Sequence, residues 1–166
     1  MVTGIVQVLF PVKANGSIIM TGTKKSGSLL IGQQFDSARY FSSRPSAVAY
    51  NPLPSGGSNF GLTSEKLTAV VADRKKAFIT MNHLDSLAVI PSEMLFASAS
   101  GLDPHISNRA ALMQVDRIAG VRRFDGIQRQ KILKCIGQLT EPPQYLCFGE
   151  ERINVLLLNL EIDKIR

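Results

Sequence analysis

One long stretch of this sequence, residues 14–61, is rich in glycine, serine, proline and asparagine. Its single extended apolar patch, residues 28–32, is bounded by glycine and predicts a short strand. The remainder is typical of loop. Loops of this length are uncommon in compact domains and usually serve a function. We therefore expect contacts with other molecules here first.

Three segments show the period of an amphipathic helix. Residues 63–81 place their apolar side chains on one stripe, and Ser64 supplies a start. Ser107 is suited to cap a second helix, which closes near residues 120–124. A third helix has apolar residues at helical spacing over residues 132–139 and ends before the following prolines.

The strand signals are fewer. Residues 152–163 alternate with apolar side chains on both faces, which predicts a strand buried on both sides. Residues 93–97, after a proline, are also expected to be extended. Helices and strands without strict βαβ alternation favour an α+β fold. For 166 residues, we expect a single compact domain with about three helices and a small mixed sheet.

The composition is that of a chain with its own core, 45% hydrophobic and 19% charged. The net charge of +6 is spread along the chain, which favours a solvated surface over nucleic-acid binding. Cys135 and Cys147 fit neither a disulfide scaffold nor a zinc motif. Residues 2–11 are apolar but reach only half of the roughly 20 residues that span a bilayer. From these residues alone, a strand or short core helix is expected.

Little in the sequence points to catalysis. Ser100, Asp103 and His105 supply the side chains of a hydrolase triad, but the G-x-S-x-G elbow is missing. A turn followed by a helix cap explains most of these residues. The other histidine, His83, lies in a different segment, so no metal site is expected.

Two parts of the long loop are candidate binding segments. One is glycine-rich, and its backbone amides could approach an anion, although it lacks a P-loop lysine and a simple turn explains its glycines. Its residues are Ser55, Gly56, Gly57, Ser58 and Asn59. The other, residues 44–59, joins an arginine, a tyrosine and prolines, which are frequent at protein interfaces. We predict docking of a partner through Tyr40, Phe41, Arg44 and Tyr50. The alternative is that these side chains pack on the domain's own core.

Several motifs together resemble one family, the C subunit of the bacterial Kdp-type potassium-transporting ATPase. They are ANGS at 14–17, GSLLIGQ at 27–33, YNPLPSGGSN at 50–59, SASGLDPHIS at 98–107, and RINVL at 152–156, with Gln114, Arg117, Arg122 and Asn159 between and after them. The resemblance covers almost the whole chain in the family's order. Leu62, Thr63 and Glu151 depart from the family pattern at element edges.

The resemblance implies a noncatalytic accessory subunit of a complex that imports potassium at the expense of ATP. Its partners would be a channel-like potassium-binding subunit, a P-type subunit that hydrolyses ATP, and a small fourth subunit. The implied role is that of a catalytic chaperone that raises the pump subunit's affinity for ATP. The segment 55–59 is likened to the signature loop of ABC transporters, which makes ATP the candidate ligand, and no firmly bound cofactor is expected. A small extracytoplasmic serine hydrolase using Ser100 and His105 is the alternative.

The resemblance also implies a single-pass protein of the bacterial inner membrane. Residues 1–11 would then be the end of a truncated N-terminal membrane helix, and residues 12–166 an extracytoplasmic domain. About 15 further apolar residues are expected before Val2, because a spanning helix needs roughly 20. Since ATP is cytoplasmic, such a domain would act on ATP affinity by coupling through the membrane subunits.

Overall fold

The computed structural model describes residues 2–145 and 147–165. Its helices are α1 (Val2–Leu9), α2 (Pro11–Ala14), α3 (Glu65–Asn82), α4 (Asn108–Leu112), α5 (Val115–Arg122), α6 (Gly126–Leu139) and α7 (Val155–Ile162). The described residues thus hold more helices than the three expected. The difference arises because the expected second helix is divided into α4 and α5, and because both ends of the chain are helical.

The strands form two small sheets. They are β1 (Ile18–Thr21), β2 (Lys24–Ser28), β3 (His105–Ile106), β4 (Thr140–Glu141) and β5 (Arg152–Asn154). The first two make an antiparallel hairpin, and the other three follow the order β3-β5-β4, with both pairings antiparallel. The α+β class is confirmed. The sheets differ from the mixed sheet expected, because the C-terminal segment contributes only three strand residues.

The hydrophobic core lies between the helices that follow the long loop and the three-stranded sheet. Helix α6 packs against both α5 and α7, and α7 also contacts β5. Fully buried side chains at this centre include Ile118, Ile132, Ile136, Ile153 and Leu158. Burial of these large aliphatic groups is the main stabilising contribution to the domain.

Side-chain caps fix where the predicted helices begin. The Ser64 side chain accepts a hydrogen bond from Leu67 N, and the Ser107 side chain accepts one from Ala110 N. Both predicted starts are confirmed. Helix α6 begins earlier than predicted, because Asp125 and Gln128 form a capping box ahead of its apolar residues.

The strand predicted over residues 152–163 is wrong beyond Asn154. The Asn154 side chain accepts hydrogen bonds from Leu156 N and Leu157 N, and so starts α7 directly after the short strand. Most of α7 is buried, so its sequence is apolar on nearly every face. Periodicity alone does not separate such a helix from a strand buried on both sides.

Two further strand predictions are corrected. Only Ser28 of the apolar patch at residues 28–32 lies in a strand, and the rest follows β2 as a turn, because pairing with β1 places the strand in the polar segment Lys24–Ser28. The segment predicted to be extended at residues 93–97 starts within a 3₁₀ turn, Ser92–Met94. There, the amides of the next two residues both donate to Ser92 O.

The N-terminal apolar segment is helical. Helix α1 ends at Leu9, and α2 starts at Pro11, where proline is well tolerated because no amide donor is needed. The strand alternative for these residues is therefore wrong. No helix among the described residues combines the length and apolarity needed to cross a membrane. That residues 1–11 end a longer membrane helix stays a prediction.

Candidate functional site

The long loop, residues 29–64, contains neither α-helix nor β-strand but is held in place by buried polar side chains. The Asn159 side chain accepts from Phe41 N at 2.8 Å and donates to Phe41 O at 3.0 Å. Gln114 Oε1 accepts from Ser42 N at 2.8 Å. At the start of the loop, Asn154 Nδ2 donates to Leu29 O at 2.9 Å. Side chains from α7, from β5 and from the residue before α5 thus supply hydrogen bonds that regular structure would otherwise provide.

Arg117 of α5 is the most heavily used of these anchors. Its buried guanidinium donates to the carbonyls of Ala38 and Tyr40 and to Asn82 Oδ1. Burial lowers the pKa of Arg117 to about 10, because removal from water disfavours the charged form. The group is still charged at neutral pH, so its hydrogen bonds are charge-assisted and strong.

Arg44, Asp103 and His105 form a linked polar group beside the loop. Arg44 Nη1 lies 2.6 Å from Asp103 Oδ2, and the His105 ring Nδ1 lies 3.1 Å from Asp103 Oδ1. Burial raises the pKa of the Asp103 carboxyl, but the hydrogen bonds from His105 and the charge of Arg44 outweigh it and hold that pKa below its usual value. Asp103 is therefore the ionised centre that joins the loop to β3.

The geometry does not assemble the hydrolase triad. Asp103 does orient the His105 ring, but Ser100 is exposed and its Oγ accepts from Leu102 N. Within the part of the chain that the structure describes, no hydrogen bond joins Ser100 to His105. The described residues also contain no group of three or more histidine, cysteine or acidic side chains that could hold a metal ion.

The glycine-rich segment packs on the turn that carries Ser100 and Gly101. Gly56 N donates to Ser100 O at 3.0 Å. A Cβ on Gly57 would lie 3.2 Å from Ala99 O. Gly101 has φ +69°, and a Cβ there would lie 2.6 Å from Val48 Cγ2. These glycines serve a close approach of two backbones, a role that the sequence did not distinguish from an anion-binding loop.

The four predicted docking residues all contact their own domain. Phe41 is 0% exposed, and the Tyr40 hydroxyl donates to Asp163 Oδ2 at 3.1 Å. Arg44 pairs with Asp103, as described above, and the Tyr50 hydroxyl donates to Arg44 O. Burial raises the pKa of Tyr50. These side chains shape the loop from within, while Leu53 at its outer turn is 82% exposed.

Sequence reasoning gave no structural role to the polar anchors of the loop. Gln114, Arg117, Asn154 and Asn159 stand out in the sequence as motif positions, yet their part in holding the loop was not predicted. A usable signal exists, since each is a polar residue within or next to an apolar run. Buried polar groups of that kind need hydrogen-bond partners, and a long irregular loop has backbone groups to offer.

Comparison with known proteins gives one consistent result. The family described as "KdpC: K+-transporting ATPase, c chain" matches residues 1–164. The chain is 44% identical over 168 residues to the "Potassium-transporting ATPase KdpC subunit" of Nitratidesulfovibrio vulgaris (strain DSM 19637 / Miyazaki F), covering 99% of this chain and 83% of that protein. It is 44% identical over 168 residues to the protein of the same description from Geotalea uraniireducens (strain Rf4), covering 99% and 86%. For the one from Caldanaerobacter subterraneus subsp. tengcongensis, identity is 41% over 160 residues, covering 96% and 81%.

Proposed function

Because this chain belongs to the KdpC family, the c chains of K+-transporting ATPases, we propose that it is a noncatalytic accessory subunit that assists assembly of the potassium import complex. Membership makes it a subunit of a membrane-associated potassium-transporting ATPase. The finer proposal is that residues 44–59 dock it onto the channel-like potassium-binding subunit. The P-type ATP-hydrolysing subunit and a small fourth subunit complete the complex.

The observation that carries the proposal is the fixed conformation of an irregular loop. The fold contributes Gln114, Arg117 and Asn159 to hold its backbone, and the close glycine contacts hold its outer turn. A loop already ordered in the free protein loses less conformational entropy on binding. An exposed leucine at the tip, Leu53, adds apolar surface to such a contact.

We propose that the effect on the pump subunit's ATP affinity arises from the same docking contact. The amide of Gly56 already donates a hydrogen bond to Ser100 O, and the segment 55–59 contains no lysine to reach phosphates. A rise in the pump subunit's ATP affinity would then come from a coupling free energy between the docked domain and the pump, carried through the membrane subunits. We propose that the chain acts as a catalytic chaperone in this indirect sense. We further propose that residues 1–11 end a longer membrane helix that anchors the chain in the bacterial inner membrane, with the domain outside the cytoplasm.

The test is assembly of the complex with a changed loop tip. Leu53→Ser removes exposed apolar surface without touching the buried contacts, so the domain should keep its melting temperature. Its affinity for the complex that lacks this subunit should fall about tenfold, the loss typical of an interface anchor. Leu87→Ser is the matched control, since Leu87 is 87% exposed but lies in another segment.

Binding is measured by titrating the purified subunit onto the detergent-solubilised complex. Equal affinity of the Leu53→Ser variant and the wild type would contradict docking through this loop. So would an equal loss of affinity in the Leu87→Ser control.

A further inference from the structure

A recessed surface lies beside the Arg44 and Asp103 pair. It is a cleft of about 580 Å³ between that pair and the segment that connects β4 to β5. We call this segment the flap and define it as residues 142–145 and 147–151. The flap is held as a small hairpin, since Gln144 N donates to Phe148 O and Phe148 N donates to Gln144 O.

The cleft is acidic in a basic protein. Its lining contains two arginines and four carboxylates, a net charge of −2 with His105 neutral, although the whole chain carries +6. Both arginines are already neutralised, because Arg44 pairs with Asp103 and Arg152 Nε lies 3.0 Å from Glu141 Oε2. A negative surface of this kind attracts a cation and repels a phosphate.

Two of the carboxylates, both on the flap, have neither an ion pair nor a hydrogen bond from their own domain within the described residues. Glu150 and Glu151 are exposed, and neither takes part in an ion pair within the described residues. By contrast, Glu93 Oε1 accepts from Ser107 N at 3.3 Å. Glu93 also lacks an ion pair among the described residues, so two of the three unpaired carboxylates of the cleft lie on the flap.

The flap also exposes aromatic surface. Phe148 lines the cleft and is 67% exposed, and Tyr145 is 88% exposed. Aromatic residues are enriched at the centres of protein interfaces, and the face of an aromatic ring attracts a cationic side chain. Acid and aromatic groups on one wall thus favour the same kind of ligand.

We propose that this cleft receives a lysine or arginine side chain presented by another subunit of the complex. The cationic head would lie between the flap carboxylates and the ring of Phe148, and its aliphatic stem would pack against that ring. This inference rests on the proposed function, since it supplies a second contact in the same complex. Arg44, the first residue of the segment 44–59, also lines the cleft, so the cleft adjoins the loop proposed to dock.

The experiment compares charge reversals in the assembled complex. Glu150→Lys together with Glu151→Lys should lower the affinity of the full chain for the complex that lacks this subunit at least tenfold at low salt, since like charges then meet across the contact. The difference from wild type should shrink at high salt. Glu65→Lys with Asp73→Lys changes the net charge equally on α3, where both residues are exposed, and should change affinity less than about twofold. Phe148→Ala should lower affinity about fivefold or more at all salt concentrations.

Three outcomes would overturn the proposal. The first is an equal loss of affinity in the control variant with Glu65→Lys and Asp73→Lys, which would mean that net charge alone matters. The second is unchanged affinity in all flap variants. The third is an effect on self-association, seen by light scattering, without an effect on assembly, which would assign the cleft to a second copy of this chain. If the Leu53→Ser variant binds weakly and the flap variants bind normally, only the cleft assignment fails. If the wild-type chain does not bind the complex, the proposed function fails and takes this inference with it.

Discussion

Replacing Asn159 by alanine should strongly destabilise the domain. The side chain is buried and makes both hydrogen bonds to the backbone of Phe41, at 2.8 and 3.0 Å. Truncation leaves a buried amide and a buried carbonyl without partners. Each such group costs about 1 to 3 kcal/mol, so we expect a loss of about 2 to 6 kcal/mol in the free energy of unfolding.

That loss is a large share of the total stability of a domain, typically about 5 to 15 kcal/mol. The measurement is urea unfolding of the Asn159→Ala variant followed by circular dichroism, with free energies from linear extrapolation. Asn15→Ala is the control, because Asn15 is exposed and its side chain makes one hydrogen bond within the described residues, to Pro11 O at 2.8 Å. It should cost less than about 0.5 kcal/mol. A loss below about 1 kcal/mol for Asn159→Ala would refute the claim that buried side chains hold the long loop.

Three other predictions concern the turn, the nucleotide and the pH dependence of stability. Gly101→Ala should lower the free energy of unfolding by more than about 1 kcal/mol in thermal unfolding, because Gly101 is in a left-handed conformation and the added Cβ would meet Val48. Gly120→Ala, on an open face of α5, should instead raise it by about 0.5 to 1 kcal/mol. Equal effects of the two substitutions would contradict a close approach of backbones at Gly101. The isolated domain should bind ATP no tighter than about millimolar by calorimetry, about 4 kcal/mol, and micromolar binding abolished by Gly57→Asp would restore direct nucleotide contact. The pKa of Asp103 is lower in the folded protein than in the unfolded chain, so this carboxylate stabilises the fold above its unfolded-state pKa, and that stability is lost as the pH falls through the folded-state pKa. Asp103→Asn should therefore make the free energy of unfolding less dependent on pH in the acid range. An unchanged pH dependence would contradict the role of this carboxyl.

Helix starts were predictable where a local side chain decides them. Ser64 and Ser107 each accept a hydrogen bond from a backbone amide three residues later, and that pattern can be recognised in the sequence. The C-terminal segment was not predictable by the same means. Its apolar run satisfies both a buried strand and a buried helix, and the cap at Asn154 decides between them.

The sequence predicts where the candidate site lies but not which contacts hold the loop in its conformation. The composition of residues 14–61 marks the loop, yet the tertiary contacts that fix it join residues more than 70 positions apart, such as Arg117 to Tyr40 and Asn159 to Phe41. Those pairings depend on the packing of α5 and α7, which no local pattern specifies. Phe41 illustrates the consequence, since an aromatic predicted as a docking anchor is a core residue that positions the loop.

The dependence of potassium-stimulated ATP hydrolysis on ATP concentration, with and without this subunit, tests whether the docked domain raises the pump's affinity for ATP. The purified complex lacking the subunit is assayed alone, with the wild-type chain, and with the Leu53→Ser variant. If the docked domain raises the pump's affinity for ATP, adding the wild-type chain should lower the KM for ATP by about fivefold or more, the lower end of typical coupling free energies. The Leu53→Ser variant should need about tenfold higher concentration to do so. A KM for ATP that is the same with and without the bound chain would contradict a chaperone effect on the pump's ATP affinity.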